Sequence, residues 1–215
     1  RTKALILSAM VCVAGIISSQ AQNVYSVNVV GYINKTLTTE FSLVGAQLDD
    51  GAGNLATNLL DGVPNLTVVY KFNGAGYDSI TWLAALNRWN PASFTDMTML
   101  PGEGVFIKKP GTAPEINLTF VGEVMQGTLV NPVVQGFDMY STMVPQAGGI
   151  TTVHEYAPSN LDVIYQWNGS TYTSKTWLDV LGRWNPAGEP EVEVGEAFFI
   201  KASAAQDWTR DFTVE

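Results

Sequence analysis

Cysteine is all but missing from this chain. Of 215 residues only Cys12 is one, and it lies in the apolar N-terminal stretch, so no disulfide can staple the remaining chain. That chain must hold together by packing. Histidine is as scarce, His154 alone, and no Gly-x-Ser-x-Gly elbow, zinc motif or phosphate-binding loop accompanies it. His154 is read as a surface or partly buried structural residue, and no catalytic residue is assigned. Positive charge is thin, 11 Lys and Arg against 20 Asp and Glu, which excludes the basic face a nucleic-acid partner would need. The apolar run at residues 4–17 is shorter than the roughly 20 residues of a membrane-spanning helix.

That run has another meaning. Arg1 and Lys3 precede it and Ser19-Gln20-Ala21 comes after it, with small residues where a signal peptidase inspects the chain. Residues 1–21 therefore read as a secretory signal peptide, and the mature protein is expected to start at Gln22. Val11 stands before Cys12 where a lipoprotein signal wants a small residue, which disfavours lipidation. Removing Arg1 and Lys3 leaves nine cations against twenty acids, a net charge of −11.

What the chain does contain is a copy of itself. Residues 70–91, YKFNGAGYDSITWLAALNRWNP, align without a gap to residues 165–186, YQWNGSTYTSKTWLDVLGRWNP, with 13 of 22 positions identical. The flanks repeat too. Residues 137–144 answer 41–48, residues 194–201 answer 101–108, and residues 212–215 fall where 120–123 fell. The chain thus divides into two repeats, residues 22–123 and 124–215, each large enough to bury a core.

Alternating apolar residues predict strands at 24–33, 41–48, 68–72, 77–82 and 116–124, with a short apolar strand at 105–107. Asn73-Gly74 marks a hairpin turn, residues 55–60 suit one or two helical turns, and residues 83–89 fit either a strand or a short helix. Residues 121–124 resemble residues 30–33, so each repeat reads as opened by one copy of this strand and closed by the next. With short strands and no long amphipathic helix, the expected fold is all-β, two tandem antiparallel sandwich- or barrel-like units.

The series FSLVGAQL, VVYKFNGAGYDSITW, LPGEGVFIKKPG and LTFVGEV resembles a family of exported bacterial proteins of unknown function, built from such a module once or twice behind a signal peptide. It is also similar to β-rich modules of bacterial surface proteins, although Phe41 and Phe137 stand where those carry Trp. The resemblance implies fold and export to the periplasm, cell surface or medium, and carries over no catalytic residue.

Candidate binding residues lie in the repeated hairpins. Tyr77, Trp82 and Trp89, with Trp167, Tyr172, Trp177 and Trp184, offer flat faces that suit a glycan, or else they are packing residues. Arg88 and Arg183 either bind an anion or stack on the adjacent Trp. Asp49, Asp50 and Asn54, in a Gly-rich turn, present the oxygen ligands calcium prefers, but the second repeat has no acid there. Glu103 and Glu196 read as turn residues that bond backbone amides. These features point to a secreted or cell-surface structural or adhesive protein without catalysis, associating with itself by strand addition or with other envelope components; the alternative is a carbohydrate-binding protein.

Overall fold

The computed structural model describes residues 29–214. The expected signal peptide lies outside them. The fold is all-β and antiparallel. The first repeat opens with β1 (Val30–Leu37) and β2 (Phe41–Val44), followed by a single helical turn, α1 (Ala56–Leu59). β3 (Val68–Phe72), β4 (Tyr77–Leu83), β5 (Arg88–Asn90), β6 (Val105–Lys108) and β7 (Ile116–Glu123) complete it. The second repeat runs β8 (Gly127–Val133), β9 (Gly136–Ser141), β10 (Gly148–Gly149), β11 (Val163–Trp167), β12 (Tyr172–Leu178), β13 (Arg183–Asn185), β14 (Glu191–Val192), β15 (Ala197–Ala202) and β16 (Gln206–Phe212). The ambiguous residues 83–89 divide into a 3-10 turn at Ala84–Leu86 and the start of β5, with Asn87 in the left-handed region between them.

Each repeat forms a five-stranded sheet and a two-stranded ribbon, and the second adds the short pair β10-β14. The sheets have the order β2-β6-β3-β4-β5 and β9-β15-β11-β12-β13. The ribbons are β1-β7 and β8-β16. The opening strand therefore pairs with the closing strand of its own repeat, from Val30 opposite Glu123 to Leu37 opposite Ile116. The tight hairpins result from local chemistry: Asn73 Oδ1 accepts the amides of Ala75 and Gly76, and Gly74 takes the positive φ of 87° that a side chain would resist. Asn168 and Gly169 repeat this turn.

Strand alternation gives each sheet two apolar faces. One face, with Val69, Ile80, Val105 and Ile107, packs on Ile33, Leu37, Ile116, Leu118 and Phe120 of the β1-β7 ribbon. Ile164, Phe198 and Ile200 likewise pack with Val133 and Trp208 in the second repeat. The opposite faces meet each other. Leu43 and Phe106 of the first sheet pack with Met139, Ala197 and Phe199 of the second, so the order of layers is ribbon, sheet, sheet, ribbon.

Register corrects one alignment. Leu37 and Val133 hold equivalent ends of their ribbons, opposite Ile116 and Gln206, and four residues away along each strand Ile33 faces Phe120 while Leu129 faces Arg210. Phe120 thus corresponds to Arg210, two residues before the Phe212 that sequence similarity suggested. Aromatic identity misled because the second closing strand has changed what it buries.

Candidate functional site

The two sheets meet about a pseudo-two-fold axis. Val44 bridges Glu196 and Tyr140 bridges Glu103, each the counterpart of the other. The backbone bonds repeat in the same way: Gly45 N donates to Gly195 O at 3.3 Å and Ser141 N to Gly102 O at 2.9 Å. Glycine makes this approach feasible. A Cβ on Gly45 would lie 2.3 Å from Ser141 Cβ, and one on Gly104 would lie 2.7 Å from Ala197 Cβ. At both positions the first repeat has Gly where the second has the larger residue.

Around the axis lie ten aromatic residues. Phe41, Tyr70, Phe72, Tyr77 and Phe106 come from the first sheet, and Phe137, Tyr165, Trp167, Tyr172 and Phe199 stand at the equivalent places of the second. The halves are packed differently. Phe137 lies flat on Phe199, centroids 4.5 Å apart and planes 16° from parallel, whereas Phe41 stands edge-on to Phe106 at 6.3 Å and 90°. Between Phe41, Tyr70, Tyr77 and Phe106 an open pocket of about 280 Å³ remains.

The candidate aromatics divide by strand face. Trp89 and Trp184 are buried, so neither is a stacking platform; each packs on the Trp opposite it, Trp82 or Trp177, at 5.6 Å. Trp82 and Trp177 are half-buried on the same side, and Trp177 Nε1 donates to Asp179 at 2.7 Å. Trp167 is half-buried in the seam, its Nε1 donating to the Phe41 carbonyl at 2.9 Å. Tyr77 and Tyr172 stay exposed at the seam edge. Burial raises the pKa of the Tyr77 phenol, and burial with the neighbouring Tyr77 pushes Tyr172 up to about 12.

Arg88 and Arg183 extend into solvent, and neither stacks on its Trp. Among the described residues the cations over ring faces are Lys108 on Phe41 and Arg210 on Phe212. Arg183 borders a second opening of about 260 Å³ with Trp177, Trp184 and Glu189, the last already accepting from Thr151 N and from Thr152 N and Oγ1. Those bonds hold Glu189 below its ordinary pKa although its partial burial opposes them.

The Asp49 turn is closed on itself. Asp49 accepts from Gly51 N, Asp50 from Ala52 N and Asn54 N, and buried Asn54 accepts from Asp50 N while donating to Leu48 O and Met99 O. Among the described residues no group of three or more His, Cys, Asp or Glu could hold a metal ion.

A polar cleft of about 270 Å³ crosses the seam beside Lys71, Glu103 and Asp138. Lys71 Nζ meets Glu103 Oε2 at 2.8 Å, and that same oxygen accepts from Leu100 N and Thr98 Oγ1. Glu196 accepts from Glu193 N in the equivalent turn. Burial raises the Asp138 pKa, against the opposing pull of its bond from Met139 N and of Lys71.

His154 is fully buried, neither at the surface nor only partly covered. Arg210 Nη1 lies 2.8 Å from its Nδ1, and because a guanidinium only donates, Nδ1 is the acceptor and the proton sits on Nε2. Nε2 has no partner among the described residues. Burial, then the Arg210 charge, lowers the His154 pKa to about 4. Sequence reasoning missed this pair because Arg210 sits in an alternating strand like any exposed residue. The chain matches no family model, no curated protein and no solved structure.

Proposed function

We propose that this is an exported structural or adhesive protein of the bacterial envelope, without catalysis, which associates with further copies of itself. The observation that carries the reading is the β1-β7 ribbon. Among the described residues it has two strands; Asp49 closes the outer edge of β7 at Glu123, exchanging backbone bonds of 2.7 and 3.0 Å with it, and along the rest of both outer edges no further strand of the described residues lies beside the ribbon. Its outer face also carries Val30, Tyr32 and Val121, exposed by 56, 71 and 44%, with Tyr32 directly opposite Val121. An exposed apolar ribbon with open edges is a template for strand addition. Because β1 is already paired within its own chain, addition takes place at the outer edges, without donation of β1. Ribbon edges of different sequence make head-to-tail contacts, which close into rings or extend into filaments.

Export rests on residues 1–21 and on the resemblance to exported modules. No helix among the described residues is long and apolar enough to cross a membrane. The test is light scattering and electron microscopy on the chain from Gln22. Rings, sheets or filaments are expected, and Tyr32→Lys with Val121→Lys shifts them to monomer. A wild-type monomer, or assemblies indifferent to both substitutions, overturns the proposal.

A further inference from the structure

The aromatic pocket in the first half of the seam opens to solvent. Its lining comes from four adjacent strands, Phe41 on β2, Phe106 on β6, Tyr70 on β3 and Tyr77 on β4, so the rings form a continuous row across one sheet face. The second repeat supplies the comparison. There the ring equivalent to Phe41 is collapsed onto its neighbour in a flat stack, while Phe41 stands perpendicular to Phe106 and leaves about 280 Å³ open. The tyrosine hydroxyls add a second observation: neither Tyr70 nor Tyr77 has a hydrogen-bond partner among the described residues, although Tyr70 is half-buried. By contrast the buried Tyr140 and Tyr156 hydroxyls bond to Val134 N and Asp162. Lys108 Nζ, 5.2 Å from the Phe41 ring and paired with Glu40 Oε1 at 3.3 Å, keeps further N–H groups beside the pocket.

We propose that this pocket binds a single pyranose ring of a glycan. The C–H face of a pyranose carries slight positive charge and packs on the electron-rich faces of aromatic rings, while its hydroxyls meet the unpartnered phenols and the Lys108 ammonium. The opening is at the small end of ligand sites, which suits one ring rather than a long chain. No acid lines the pocket, so it binds without cleaving. The assignment rests on the adhesive reading above and names the chemistry the adhesive would recognise. It also differs from the hairpin tryptophans as a site, since Trp89 and Trp184 are buried and the ring beside this pocket is Trp167, 5.8 Å from Phe106.

Trp167 makes the test direct. Methyl pyranosides of glucose, galactose and N-acetylglucosamine are titrated into the chain from Gln22, with indole fluorescence as the readout and Trp167→Phe to identify the reporter. A saturable change at millimolar concentration with at least one sugar is expected, of the affinity one shallow ring site gives. Tyr77→Ala, at an exposed position, weakens it about tenfold or more, and Tyr77→Phe, which removes only the hydroxyl, weakens it a few-fold. No saturable response to any pyranoside, or a response unchanged in Tyr77→Ala, overturns the assignment. So does saturable binding of p-cresol with none of a sugar, which would make the pocket a site for aromatic groups. Assemblies that persist while sugar binding fails remove only this pocket, and sugar binding by a monomer removes only the self-association.

Discussion

The two repeats share a topology and differ in what they bury at the same place. In the first ribbon, Phe120 fills the inward position opposite Ile33 and is 1% exposed. In the second, Arg210 takes that position opposite Leu129 and is 5% exposed, its guanidinium bonded to His154 and Gln146 and lying 5.0 Å from the Phe212 ring. Among the described residues no carboxylate forms a salt bridge with Arg210. An apolar core and a core with a buried cation thus sit in one fold, and the difference separates what the topology needs from what one copy has acquired. The topology needs volume at this position. It does not need charge, since the first repeat does without it.

The largest effect is expected from exchanging these residues. Phe120→Arg places a cation among Ile33, Leu118 and Val105 with no His to receive it, and is expected to cost about 4–5 kcal/mol or to prevent folding. Arg210→Met with His154→Leu, which replaces both partners by apolar groups and keeps most of the volume, is expected to stay within about 1 kcal/mol of wild type or to stabilise. Urea unfolding of the two variants decides it; equal losses would mean that the Arg210 network supports the fold.

The seam offers a second exchange, of intermediate size. Gly45→Ser drives a Cβ into Ser141 and is expected to cost about 3 kcal/mol, the upper part of the range for overpacking. Adding Ser141→Gly moves the larger residue to the other side of the axis and is expected to recover most of the loss. A double-mutant cycle without coupling would show that the pseudo-symmetry does not extend to the packing of the axis.

The smallest effect distinguishes the repeats by pH. His154 titrates near 6.5 in an unfolded chain and near 4 here, so between those values the unfolded chain holds more protons and stability falls as pH falls. Arg210 adds to the depression and Glu189 opposes it. A loss on the order of 1–3 kcal/mol between pH 7 and pH 4 is expected from this group, on top of any change due to carboxylates. His154→Leu should flatten the pH profile by that amount. An unaltered profile would show that His154 does not titrate in this range.

Much of the architecture is legible in the sequence because its causes are local. Asn73-Gly74 and Asn168-Gly169 specify hairpin turns by side-chain acceptors and a glycine φ, and these turns are in place. Alternation in 116–123 separates Ile116, Leu118 and Phe120 from the residues between them, as the burial of that strand repeats. The site was less legible. Tyr77 and Trp82 lie on one strand and look equally available, yet an odd spacing of five residues puts them on opposite faces, one at the seam edge and the other against the ribbon-side core.

The sequence by itself determined the antiparallel strands, their turns and the duplication, since each depends on residues within a few positions or on direct comparison of one stretch with another. Only the tertiary structure decided that the two sheets meet face to face about Gly45 and Gly104, that the opening and closing strands of each repeat pair with each other, that Trp89 and Trp184 are core, and that Arg210 lies inside. The physical reason is that alternation gives a strand two faces without saying what will cover either one. Which face is buried, and against what, is settled when sheets separated by nearly a hundred residues pack together.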